Sequence, residues 1–203
     1  MNHKSTTLLA ILIAAPVIAG EGPSFDCGKA ESAAEKLVCE DQDLGRLDRL
    51  VSDRYTAALA AASSLDTGAP EAEAELRATQ RGWISGRNEC WKEEDLKSCV
   101  ESAYLRRNAE LVALWMLEEP ARVVSWACDD NPANEVVTYF YDTELPAIRF
   151  ERGDSVDAGA LVRTASGARY EGSFGRYIWI KGDEAMYRDP DPNGAELDCV
   201  VQN

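Results

Sequence analysis

The sequence predicts an α+β protein in two segregated domains, a small N-terminal helical bundle followed by a C-terminal antiparallel β-barrel of about eight strands. Composition, periodicity and punctuation point to this division. Before Pro120 the chain is dominated by Ala, Glu, Leu and Arg, and no proline occurs between Pro70 and Pro120. After Pro120, short β-branched and aromatic runs alternate with Gly, Pro, Asn and Asp. A length of 203 residues has room for one medium domain or two small ones. The expected division is a signal peptide over residues 1–19, a helical domain over 20–119 and a β-domain over 121–203.

The first segment reads as an export signal. A short basic start through Lys4 precedes the apolar run Leu8–Ala15, and small residues follow up to a cleavage point expected after Ala19. The run is shorter than the roughly 20 apolar residues that a membrane-spanning helix requires. A lipoprotein signal needs a cysteine at the cleavage point, and the first is Cys27. Export to the periplasm without a stable membrane anchor is therefore expected.

Three helices are expected next. Asp41 is placed to cap one, and Leu44, Leu47, Val51, Tyr55, Ala58 and Ala62 follow at three- and four-residue steps. Glu71–Trp91 carries Leu76, Gln80, Trp83 and Arg87 on one face. Leu96, Val100, Ala103, Leu111 and Leu114 mark a third helix. Short connections imply antiparallel packing, with Trp83, Trp91 and Trp115 in the core.

Short strands are expected at 123–128, 136–141, 147–150, 160–163, 169–171, 177–181, 185–188 and 197–201, each bounded by turn residues. Closing them into a barrel removes exposed sheet edges. The run Asp189-Pro190-Asp191-Pro192-Asn193-Gly194 imitates the start of a calcium loop. Position twelve of that loop would be Val200, where a bidentate carboxylate is required, so a turn is expected and no metal or cofactor site.

Cysteine, histidine and charge bound the chemistry. Cys27, Cys39, Cys90, Cys99, Cys128 and Cys199 form an even set, read in an exported chain as disulfides, although spacing alone leaves their connectivity open. Local pairs, Cys27 with Cys39 and Cys90 with Cys99, are favoured for the helical half. Cys128 and Cys199 lie near the start and end of the β half, and a bridge between them would pin its closure. The only histidine is His3, inside the expected signal. Ser-His-Asp and Cys-His catalysis are thereby excluded from the exported chain, and no enzyme activity is expected. A net charge of −15 argues against nucleic acid and anionic lipid surfaces and favours a basic partner.

The block Ser166-Gly167-Ala168-Arg169-Tyr170, followed by Ile178-Trp179-Ile180-Lys181-Gly182-Asp183-Glu184-Ala185, resembles the membrane-bound inhibitor of c-type lysozyme (MliC) family. The likeness extends to Cys128-Asp129-Asp130, to Val137-Thr138-Tyr139-Phe140 and to Cys199. It implies a small antiparallel barrel with a Cys–Cys bridge and a loop that inserts into the lysozyme cleft. In the helical half, Ser24-Phe25-Asp26-Cys27, Glu35-Lys36-Leu37-Val38-Cys39, Leu47-Asp48, Gln80-Arg81, Trp83, Arg87 with Cys90, and Cys99 with Tyr104 resemble the lysozyme-inhibitor LprI N-terminal family. The chain departs from the first family in lacking the lipidation cysteine of many members, and in the Gly172-Ser173-Phe174-Gly175 sequence beside the matched blocks.

The resemblance assigns Ser166 and Lys181 to the contact with a c-type lysozyme. Lys181 carries three N–H donors and a positive charge just before Gly182-Asp183, a dipeptide suited to a tight hairpin. Gly167 keeps the Ser166 loop small, and Arg169 is expected to support it. By residue type alone, Lys181 and Ser166 read as solvated turn residues. Tyr170 and Trp179 fit either an interface or a barrel core. The rival reading is an envelope-integrity or binding module that does not inhibit lysozyme.

Overall fold

Local capping explains why the helical half begins where it does. The structure, a computed structural model, describes residues 22–202, so the expected signal peptide lies outside the described residues. Among them are four helices: α1 (Ala33–Glu40), α2 (Gln42–Ser63), α3 (Ala69–Asn88) and α4 (Leu96–Trp115). The short α1 is additional to the three expected. Ser32 and Glu35 close a capping box around its start, with Ser32 Oγ accepting from Glu35 N at 3.1 Å and Glu35 Oε2 accepting from Ser32 N at 3.0 Å. The backbone N–H groups of Ser32, foremost, and Glu31 donate to the Glu35 carboxyl and hold it below its ordinary pKa of 4.5. Asp41 caps α2 as expected, accepting from Asp43 N and Leu44 N.

The bundle core joins Leu44, Leu47 and Val51 of α2 to Leu76 of α3 and to Val100, Tyr104 and Leu111 of α4. At its centre Asp48, Arg87 and Tyr104 are joined by hydrogen bonds. Tyr104 donates to Asp48 at 2.8 Å and accepts from Arg87 at 2.5 Å, while Ser24 donates twice to the other Asp48 oxygen. Burial pushes the Tyr104 phenol pKa well above its ordinary value. Trp83 and Trp115 pack partly buried against this core, but Trp91 does not: it is 61% exposed, carried outward by the 3-10 turn Glu89–Lys92. Disulfides join Cys27 to Cys39 and Cys90 to Cys99.

The β half is a closed antiparallel barrel of eight strands in chain order. They are β1 (Arg122–Cys128), β2 (Asn131–Tyr141), β3 (Ala147–Arg152), β4 (Ser155–Val162), β5 (Ala168–Glu171), β6 (Tyr177–Lys181), β7 (Glu184–Arg188) and β8 (Glu196–Val201). Alternation sends Trp126, Phe140, Ile148, Phe150, Tyr170, Ile178, Tyr187 and Leu197 inward. Trp126 Nε1 finds a buried acceptor in Thr138 Oγ1 at 2.9 Å. Cys128 and Cys199 are cross-strand partners and bonded, so the disulfide ties the first strand to the last. In the chain-entropy model, a closed loop of this length is worth roughly 4–5 kcal/mol.

Helix α4 joins the two halves. One face serves the bundle, while Ala109, Val112 and Ala113 on the other pack against Tyr141, Ala147, Ala158 and Ala160 on the outside of β2, β3 and β4. Arg149 Nη1 donates to the Leu114 carbonyl at 2.6 Å, and Arg46 pairs with Glu144 at 2.8 Å. In a closed barrel with strands in chain order, β3 lies across the axis from β7. The face β6–β7–β8 is therefore turned away from the helices.

Candidate functional site

Two chain segments meet at one end of the barrel. Lys181 ends β6, Glu184 begins β7, and the two are cross-strand partners around a two-residue turn with Gly182 at φ +68°. The neighbouring β4–β5 loop brings Ser166 and Gly167 alongside. Gly167 has φ +70°, and a Cβ there would collide with the Ile180 carbonyl and lie 2.9 Å from Lys181 Cγ. Glycine is thus required both by the backbone angle and by the flush contact of the loop with β6.

Trp179 links the two segments. Its Nε1 donates to the Ser166 carbonyl at 2.9 Å, and its ring carries Lys181 Nζ at 3.9 Å from the centroid, a cation–π distance. Thr164 Oγ1 adds hydrogen bonds to the carbonyls of Ser166 and Gly167 at 3.1 and 3.0 Å. The loop is held by its backbone, while the Ser166 and Lys181 side chains are exposed.

Arg169 is not brought to this tip. Its guanidinium lies 4.0 Å over the Tyr177 ring and 3.0 Å from Glu171. Tyr170 turns into the barrel, edge-on to Phe140 at 5.6 Å, and burial raises its pKa. Trp179, like Tyr170, is left unassigned by sequence reasoning. Its alternation against the buried Ile178 and Ile180 was the signal that it faces outward.

A groove of about 640 Å³ runs from Trp179 and Lys181 across β7 and β8 to β1. Trp179, Met186 and Ala127 line it, and carboxylates of Asp129, Asp130, Glu184 and Asp198 surround it. Asp129 and Asp130 form the β1–β2 turn with φ of 53° and 54°, a conformation uncommon for residues other than glycine. Asp129 is pinned by exchange with β8: its N–H donates to the Asp198 carbonyl at 2.7 Å, and its carboxylate accepts from Asp198 N at 3.1 Å. The site thus presents one exposed cation beside a strongly acidic groove. The run beginning at Asp189 forms a turn, as expected, with the Asp189 carboxylate accepting from Arg152 and Asn193.

The family model for the membrane-bound lysozyme-inhibitor of c-type lysozyme matches residues 126–195, a span containing Ser166, Gly167, Arg169 and Lys181. The model for lysozyme inhibitor LprI matches residues 27–113. No solved structure matches the chain. Lipoprotein LprI of Mycobacterium bovis and of Mycobacterium tuberculosis is 30% identical to it over 180 residues, covering 88% of this chain and 84% of the relative. With helical and barrel halves in the order of the two family models and a relative matched along most of its length, the chain belongs to the LprI family.

Proposed function

We propose that this protein is an extracytoplasmic inhibitor of c-type lysozyme that acts by binding, with the Ser166 loop and Lys181 inserted into the enzyme's cleft. The observation that carries the reading is the Trp179 bridge, which fastens the loop backbone and supports the lysine while leaving both tip side chains exposed. A retaining glycosidase presents two carboxyl groups about 5 Å apart in a concave cleft. An ammonium with three donors and a neighbouring hydroxyl, on a braced tip, complement that cleft. Preorganisation lowers the ordering cost of binding. The acidic groove complements a basic surface beside the cleft and speeds encounter.

On this reading the inhibitory surface belongs to the domain expected over residues 121–203, while α4 covers the opposite barrel face. The expected signal at residues 1–19 would deliver the chain to the periplasm, and no helix among the described residues is long and apolar enough to cross a membrane. The test is a cell-wall lysis assay with a c-type lysozyme titrated by the purified full chain. Saturable inhibition at one-to-one stoichiometry is expected. Undiminished lysis together with no complex on gel filtration would refute the reading.

A further inference from the structure

The other end of the barrel, formed by the β3–β4, β5–β6 and β7–β8 connections, carries Arg152, Arg176 and Arg188 in a chain of net charge −15, and Arg188 is paired with Asp191. Arg176, just before β6, has a side chain only 3% exposed, with its guanidinium 6.0 Å from the Phe150 ring centroid. Arg152, at the end of β3, lies 6.0 Å over the Tyr187 ring. Part of their donor capacity is met. Arg152 Nη1 donates to both Asp189 oxygens at 2.9 and 2.8 Å, and its Nη2 donates to Asn134 at 2.6 Å. Arg176 Nη2 donates to Ser155 Oγ at 2.5 Å.

Arg152 Nε, Arg176 Nε and Arg176 Nη1 are buried without a hydrogen-bond partner. Asp157 lies 3.9 Å from Arg176 Nε, too far for a hydrogen bond, and its oxygens already accept from Ala158 N, Ser173 N and Ser173 Oγ. Unmet donors on buried cations are costly and call for an acceptor. Arg152, Ser155, Arg176, Asp189, Pro190 and Asn193 line an open cavity of about 200 Å³. Asp189 is already engaged with Arg152, so Arg176 lacks a carboxylate in hydrogen-bond contact. Its complement is an anion that offers several acceptor oxygens.

The unmet donors belong to two guanidinium groups, one at the end of β3 and one in the β5–β6 connection, with the Ser155 hydroxyl and the Asn193 amide beside them. Donors from separate directions suit a tetrahedral oxyanion, whereas a planar carboxylate is matched by the fork of one guanidinium. We propose that this cavity binds a tetrahedral oxyanion of the phosphate or sulfate type, at the barrel end remote from Ser166 and Lys181. The site is independent of lysozyme binding.

The test is calorimetric titration of the full chain with inorganic phosphate, sulfate and acetate, at ionic strength held constant with sodium chloride. Saturable one-site binding of phosphate or sulfate is expected, at least tenfold tighter than acetate. Arg176→Gln should abolish it. Should that variant fail to fold by circular dichroism, Ser155→Ala, a change at an exposed position, should still weaken binding several-fold. Lys181→Ala should bind phosphate as the wild type does. Absence of saturable phosphate and sulfate binding, acetate binding as tightly, or unaltered affinity in Ser155→Ala and in folded Arg176→Gln would each overturn the proposal.

Discussion

The barrel has two outward faces built by the same alternation and put to opposite uses. On β2–β4 the outward positions include Tyr141, Ala147, Ala158 and Ala160, mostly small and apolar, and α4 lies flush on them. On β6–β8 and β1 they include Trp179, Lys181, Glu184, Met186 and Asp198, aromatic and charged, and they border an open groove. Small side chains let a helix approach closely and are satisfied within the molecule. A lysine on an indole beside four groove carboxylates stays exposed. Burial and residue size thus separate the structural face from the face proposed to bind.

The largest effect is expected from breaking the covered face. Ala113→Asp places an unpaired carboxylate in the α4–barrel contact and should cost on the order of 3–5 kcal/mol of stability. Thermal unfolding would show a large fall in Tm, with inhibition lost only in step with folded protein. On the open face, Gly167→Val forces a Cβ onto the Ile180 carbonyl at φ +70° and should displace the loop, at about 1–3 kcal/mol. There inhibition should fall more than tenfold while the folded content by circular dichroism is retained. Trp179→Phe keeps a ring beneath Lys181 but removes the donor to Ser166, a loss of about 0.5–1.5 kcal/mol. The inhibition constant should rise a few-fold, and an unchanged value would show that the indole N–H does not position the loop.

The smallest effect concerns acid, in the bundle behind the covered face. Hydrogen bonds from the Ser32 backbone lead in lowering the Glu35 pKa, and the Lys97 side chain leads for Asp41. Because these folded-state pKa values are depressed, their contribution is present above the ordinary carboxylate range and is lost as pH falls through the folded values. Tm should decline on acidification below about pH 4.5, and less steeply in Glu35→Gln. Equal slopes in the two proteins would remove Glu35 from the account.

Much of this contrast was legible in the residues. Strict alternation around Ile178, Ile180 and Tyr187 marked the strands because the inside of a closed barrel must be apolar. The β4–β5 and β6–β7 connections were readable from Gly167 and Gly182, both of which adopt positive φ. Strand β2 began earlier than expected, at Asn131, because pairing with β1 resumes there after a register shift between Ala127 and Cys128. Helix α1 was missed although Ser32 and Glu35 stood three apart, a signal too local to weigh against its brevity. The dual role of α4 was not legible, since apolar residues on two faces say that a helix is buried but not against what. The cluster at Arg152 and Arg176 depends on strand ends far apart in sequence, and only barrel closure brings them together.

The central claim is that Lys181, on the open face, carries the contact with lysozyme. The most direct measurement is the inhibition constant of Lys181→Ala beside that of Lys97→Ala, a lysine change in the helical half, with both folds verified. Loss of one partner from a buried charged hydrogen bond costs about 2–5 kcal/mol, so Lys181→Ala should weaken inhibition by at least about thirtyfold. Lys97→Ala should inhibit as the wild type does. Equal inhibition by Lys181→Ala and wild type would contradict the account and remove this residue from the site.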